Sequence, residues 1–465
     1  MAADNSNTTE RLVAAATQLI SLLFTTAREQ PIRLFFLFIF PLALCGIISI
    51  YLLLHLLAPK PRPPYPSEKT YLTTLPSGSI SPPKPLPCWY DRWHAEGCLK
   101  EQYPTIPPGF DVPDQASIEP AEVEVSVVVP AYNEQDRIEV ALEEMVEYLD
   151  ANFGRGHQQQ QHGQEGGGKL LPTLEKPRPG PGTGNVTPSS RPSTPHRLVF
   201  KSEGGSFGRA GGEGEGEKKK RPAPQGYEII VVDDGSKDKT VEVVLNFSKK
   251  HHLHDILRVV SLEKNRGKGG SVTHGLRHVR GKYAVFADAD GASRFSDLGR
   301  LIEGCEDVVD GSNRGVAIGS RAHLVGSEAV VKRSAVRNFL MRSFHFVLMI
   351  LTPPATSRIR DTQCGFKLFS RAALPHIVPY MHAEGWIFDI EMLMLAESAP
   401  ATPVLASDGS VIGTSCGIKV AEVPVGWEEV EGSKMNLVGD SVRMAVGLAV
   451  LRASWMLGVY RRRLT

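Results

Sequence analysis

The sequence predicts an α/β fold built on a mostly parallel, doubly wound sheet, and three observations predict it. Short runs rich in Val and Ile, such as Val125–Val129 and Tyr227–Val232, alternate with segments of helical length. Three of these runs end in polar loops, at 130–134, 233–236 and 288–291. The third run, Tyr283–Ala287, is too short for a buried helix, reads as a central strand, and closes on Asp288-Ala-Asp290-Gly291. Alternate strand residues share a face, so Asp288 and Asp290 point the same way at the strand's carboxyl edge. That edge is where an open α/β sheet takes its ligands.

Composition narrows the class. Of 465 residues, 52 are basic and 51 acidic, which leaves no field to attract nucleic acid. The six cysteines (45, 88, 98, 305, 364 and 416) show no C-x-x-C spacing. They fit a reducing compartment, and neither a disulfide framework nor a zinc site.

The elements follow in order. Residues 1–33 read as a polar, disordered tail, with a short amphipathic stretch at Arg11–Phe24. Leu34–Ala58 carries no charge and is long enough to cross a bilayer, as an uncleaved signal anchor. Lys60, Arg62, Lys69, Lys84 and Arg92 follow it, against Arg28 and Arg33 before it. This bias favours a cytosolic main body and a lumenal tail whose Asn7 is a glycosylation sequon. Residues 59–122 read as a linker, extended where proline is dense up to Pro87. The main folded domain is expected over 123–436. Its first strand leads through Pro130–Glu134 into a helix over about 136–150.

From about 153 to 224 the chain is low in apolar residues and rich in Gly, Gln and Pro, which predicts a disordered insertion. Tyr227–Val232 resumes the sheet, followed by a helix over 239–249 and a strand over 256–261. Asn265–Gly270 is a glycine loop expected to open a helix over 271–279. After the Asp288/Asp290 strand come a strand at 316–319 and an apolar run at 338–351, too short to span, which suits a core or interfacial helix. A loop at 361–367, strand-like Leu368-Phe369, a helix from Trp386 to about Glu397 and an edge strand at 420–424 complete the domain. Residues 437–465 read as one or two interfacial amphipathic helices.

The chemistry lies in the loops. Paired carboxylate oxygens at Asp288 and Asp290 suit Mg2+ or Mn2+, which would in turn hold a diphosphate. The glycine loop offers backbone N–H groups and Lys268 to phosphate oxygens. Taken alone, Asp-x-Asp also makes an ordinary turn. Four such loops in order over one sheet edge are what a nucleoside diphosphate with a metal requires.

The segments 127–134, 231–236, 265–269 and 288–290 resemble the family 2 inverting glycosyltransferases of GT-A fold. Gly319–Leu324, Arg360–Phe369, Trp386–Glu391 and Glu431–Lys434 narrow the resemblance to the dolichyl-phosphate β-glucosyltransferases of the endoplasmic reticulum. It covers about 123–152 and 226–436. It implies transfer of glucose, with inversion, from UDP-glucose to dolichyl phosphate at the cytosolic face of that membrane. Carried over by position, Pro130, Ala131, Tyr132 and Glu134 would line the nucleoside pocket. Asp233, with Asp234 beside it, would read the base or ribose. Lys268, Asp288 and Asp290 would hold the diphosphate, with the last two as metal ligands. Arg321 would meet phosphate, and the 361–367 loop, with Gln363 and Lys367, would lie near the acceptor. Asp389 stands where relatives acting on sugar hydroxyls keep a base, or else serves a helix N-terminus.

Arg321, Lys332, Arg333, Arg337 and Arg342 lead into the apolar run, and Arg321 with Arg333 or Arg337 is the expected acceptor-phosphate site. His323 and His345 read as packing or interfacial residues. The same chemistry with GDP-mannose is the nearest alternative, followed by a non-catalytic membrane scaffold. Oligomeric state is not legible.

Overall fold

In a computed structural model of the chain, the described residues are 39–102, 118–155, 224–324, 346–405, 410–428 and 437–461, with isolated positions between 14 and 36 and at 430. They belong to one compact unit, 1–157 with 224–465. A second unit, 158–223, holds most of the expected insertion and lies outside the described residues.

The first helix is α1, Phe40–Leu57, long and apolar enough to cross a membrane, with only Leu54 buried. The expected extended linker is instead folded. Residues 66–69 form a 3-10 turn, Thr70–Tyr71 pairs with Lys84–Pro85, and α2 spans Trp89–Gln102. Tyr71, Leu86, Trp89 and Trp93 are buried in the main core, and Trp89 donates to the Leu276 carbonyl at 2.8 Å. Proline density read as extension, whereas four large apolar side chains spaced through the segment pin it to the domain.

The sheet begins with β1 (Val123–Ala131), followed by α3 (Ile138–Asn152), β2 (Tyr227–Asp233), α4 (Thr240–Lys250) and β3 (Leu257–Ser261). Next come α5 (Gly267–Leu276), β4 (Gly281–Ala287), α6 (Leu298–Val308), β5 (Val316–Ser320) and β6 (Phe366–Ser370). The chain closes with α7 (Phe388–Glu397), β7 (Val420–Pro424) and α8 (Leu437–Met456). Strand order is β7-β5-β6-β4-β1-β2-β3, parallel throughout except β6, which runs antiparallel to both neighbours. The sequence signalled a strand near 368 but not its central, reversed position. A hairpin, Thr402–Leu405 with Val411–Ser415, was not signalled.

Strand alternation builds a core on each face. Val125, Val127 and Val129 of β1 join Ile229, Val231, Tyr283 and Val285 under α3, α4 and α6. Val128, Ile230, Val232, Ala284 and Phe286 face the other way, against α5 and α7. Each fully buried Val or Ile contributes about 1.5–3 kcal/mol relative to exposure, so neither face tolerates a register slip. At the amino edge, buried Glu228 pairs with Arg258 (3.1 Å) and Arg280 (2.8 Å).

Two further differences bear on the site. The helix after the glycine loop starts at Gly267, so the loop's glycines form its first turn. The C-terminal segment is one helix, α8, which packs against α1, and Tyr460 beyond it donates to the Pro59 carbonyl at 2.7 Å.

Candidate active site

Strands β1, β2 and β4 run parallel and side by side, so their carboxyl ends deliver three loops to one edge. Pro130 and Ala131 close β1, and the Ala131 carbonyl accepts the Asp234 N–H at 2.8 Å, tying the first loop to the second. Tyr132 is exposed. Asn133 takes a positive φ of 53° and donates its N–H to Ser236 Oγ at 2.9 Å. Glu134 forms a 2.6 Å ion pair with Arg137.

Asp233 and Asp234 are both buried at the end of β2. Burial raises the carboxyl of Asp233, opposed by hydrogen bonds from Ser236. Burial pushes Asp234 up to about 6, although Arg266 N–H donates to it at 2.7 Å.

Lys268, in the first turn of α5, places Nζ 2.6 Å from Asp288 Oδ1. Burial lowers this ammonium's pKa, but Asp288, Asp389 and Asp290 outweigh it, so the group is held charged. Asp290 accepts one N–H, from Ala292 at 3.0 Å. Its carboxyl is raised, first by burial and then by the charge of Asp288. This residual negative charge suits a divalent cation. Mg2+ and Mn2+ need only one or two protein carboxylates when a diphosphate completes the shell, so Asp290 with Asp288 fits.

The loop that starts at Asp361 reaches the same place. Gly365 accepts the Asp288 N–H at 3.2 Å, and a Cβ on Gly365 would stand 1.9 Å from Asp288 Oδ2, so only glycine fits there. Gln363 Nε2 lies 3.8 Å from Met444 Sδ on α8, joining this loop to the C-terminal helix.

One expectation changes and two residues gain partners. Arg321, expected to meet phosphate, holds Asp361 through two guanidinium contacts of 2.7 and 2.8 Å, and its N–H donates to the same carboxylate. Burial lowers the pKa of this guanidinium, but the Asp361 pairing more than offsets it. Lys367 does not face an acceptor, because it is fully buried and donates to Asp389 Oδ1 at 2.5 Å and to the Cys364 carbonyl at 2.6 Å. Asp389, at the start of α7, is therefore half of a buried ion pair, with its carboxyl raised by burial against the pull of Lys367 and Lys268. Arg333, Arg337 and His345 lie outside the described residues, and His323 is exposed on a turn after β5.

Two groups escaped the sequence reading. Trp427 places its ring 5.7 Å from the Arg321 guanidinium carbon. Glu384 pairs with Arg266 across 118 residues of chain, a separation that no local pattern signals.

The family model described as glycosyl transferase family 2 matches residues 219–374, starting at the end of the expected insertion and so missing the loop at 130–134. The chain is 33% identical over 431 residues to the dolichyl-phosphate beta-glucosyltransferase of Saccharomyces cerevisiae, covering 91% of this chain and 94% of that one. It is 40% identical to the protein of the same name in Dictyostelium discoideum and 39% to that in Homo sapiens. Those matches cover 53% of this chain in each case, and 68% and 69% of the relatives. Among solved structures, glucosyl-3-phosphoglycerate synthase from Mycobacterium tuberculosis, in complex with Mg2+ and UDP, matches 71% of this chain and 79% of its own. At a TM-score of 0.37 and 14% identity, that likeness is too loose to inform the ligands here.

Proposed function

Because the chain belongs to the dolichyl-phosphate beta-glucosyltransferases, we propose that it transfers glucose, with inversion, from UDP-glucose to dolichyl phosphate, releasing UDP. The observation that carries the reading is the meeting of Asp233, Asp234, Lys268, Asp288 and Asp290 at one edge of a parallel sheet. Such a cluster of carboxylates and a lysine suits the nucleoside diphosphate end of a sugar donor with its metal. The mannosyl alternative, with GDP-mannose, is not favoured, since the relatives are named as glucosyltransferases.

In this reading a phosphate oxygen of the acceptor attacks the anomeric carbon from the face opposite UDP. The new C–O bond forms as the bond to the β-phosphate breaks, and the electron pair leaves with UDP. A phosphate is already anionic at neutral pH, so no base is required. This accords with Asp389 being tied to Lys367. Asp233 and Asp234 read the base and ribose between the walls made by Pro130, Ala131 and Tyr132. Lys268 meets the growing charge on the departing diphosphate. A divalent cation held by Asp290 and Asp288 supplies Lewis-acid neutralisation of that diphosphate when bound. Arg321, oriented by Asp361 and Trp427, remains near enough to the sheet edge to steer the acceptor phosphate, with Asp361 as its counterion.

We further propose that α1, long and apolar enough to cross a membrane, is an uncleaved anchor that holds the catalytic unit on the cytosolic face of the endoplasmic reticulum, a reading supported by the basic residues that follow it. Externally added protease should digest the catalytic unit in intact microsomes; its full protection would reverse the orientation. For the reaction, labelled UDP-glucose and dolichyl phosphate should yield a labelled lipid that mild acid cleaves to glucose. Product from GDP-mannose and none from UDP-glucose would overturn the assignment.

A further inference from the structure

We propose that Glu384 is a positioning residue for the donor site, acting on the first turn of α5; this rests on the reading of that turn as the diphosphate cradle. Glu384 holds the turn at two points. Its carboxylate takes Arg266 Nε at 2.8 Å and also contacts Nη2, and its carbonyl accepts the Gly270 N–H at 3.2 Å. The Arg266 side chain is almost wholly buried, its Nη2 also donates to the Arg62 carbonyl at 3.1 Å, and its Nη1 is buried without an acceptor. Glu384 is the only side chain paired with this guanidinium among the described residues, so losing it would strand a buried charge.

The glycines record the same contact. A Cβ at Gly267 would come within 2.7 Å of the Glu384 carbonyl, and one at Gly269 within 2.5 Å of Phe388 Cβ and 2.7 Å of the Ala383 carbonyl. The loop is therefore glycine-rich because the 383–388 segment presses on it, whatever its N–H groups do for a ligand. What Glu384 holds is functionally placed on both sides. The Arg266 N–H donates to Asp234, and two residues later Lys268 reaches Asp288. One carboxylate thus sets the spacing between the nucleoside end and the diphosphate end of the donor.

The test uses the full chain in dolichyl-phosphate liposomes with saturating Mg2+. Glu384→Gln keeps the backbone contact and removes the charge. It should weaken UDP binding, measured by calorimetry, and raise the KM for UDP-glucose, each by about tenfold, the worth of one charge-assisted hydrogen bond. The KM for dolichyl phosphate should stay within about twofold, even as the melting temperature falls because the Arg266 charge has lost its partner. In Glu384→Asp, which keeps the charge, donor binding should be intermediate. Arg266→Met added to Glu384→Gln should cost little more than the single change, because the two residues act as one device. UDP binding within about twofold of wild type in the Gln variant would overturn the proposal. So would an equal rise in the KM for dolichyl phosphate. If the Gln variant does not fold, the Asp variant decides, with unchanged UDP binding counting against. Failure of the wild type to glucosylate dolichyl phosphate would sink the functional reading instead, and leave the UDP-binding result standing.

Discussion

At the residue scale, the acidic loops were legible because each carboxylate stands at the end of an apolar run, a local pattern. The partners were not. Asp361 and Lys367 are six residues apart in one predicted loop, though Lys367 lies on β6, and nothing in the sequence says that Lys367 goes to Asp389 and Asp361 to Arg321. Removing one member of the buried pair should be costly: Lys367→Met leaves Asp389 without its counterion, and the melting curve should report a loss of about 3–5 kcal/mol. Lys367→Met with Asp389→Leu should recover most of it and keep turnover within about tenfold if the pair is structural. Recovered stability without turnover would give Asp389 a chemical task. Asp234 predicts a pH signature. Its carboxyl titrates near 6 in the fold and near 4 unfolded, so the folded state binds the extra proton between those values. Its stabilising contribution is therefore complete below about pH 4 and is lost as pH rises towards 6, by about 3 kcal/mol. Melting temperatures of Asp234→Asn from pH 4 to 7 should lack that decline; an unchanged profile would assign it to other groups.

At the element scale, helices and strands came through where apolar spacing was regular, and boundaries shifted where glycine obscured them. The helix expected from 271 begins at Gly267 because its glycines are set by packing, a property of the neighbouring segment and so invisible locally. Gly269→Ala should destabilise the protein by about 1–3 kcal/mol, since the new methyl has only backbone and the rigid Phe388 Cβ to meet. The same variant should raise the KM for UDP-glucose, and wild-type values in both measurements would show that the turn can yield. The hairpin at 402–415 carries exposed Val411 and Ile412 on both sides of its alternation, so it showed no period-2 pattern to read.

At the scale of the whole molecule, the mostly parallel sheet was legible from strand–helix alternation, while the docking of 59–102 and the reversed β6 depend on contacts between distant segments. Residues 158–223 interrupt the chain between α3 and β2, and their flanks are already fastened. Arg155 pairs with Asp150 at 2.6 Å and donates to the His251 carbonyl at 2.9 Å. Replacing 158–223 with a short Gly/Ser linker should therefore leave turnover and melting close to wild type. A large loss in either would give the segment a task of its own. The place of β6 has a consequence for synthesis. β5 leaves the ribosome before β6 yet cannot pair with β4, because β6 must lie between them. The edge of β4 that pairs with β6 thus stays unpaired while about 80 further residues are translated, roughly 4–16 s at about 5–20 residues per second. Throughout that interval α1 has already been translated. Nascent chains arrested before residue 366 should be cut readily by protease within 281–320, and chains arrested well beyond 424 should resist.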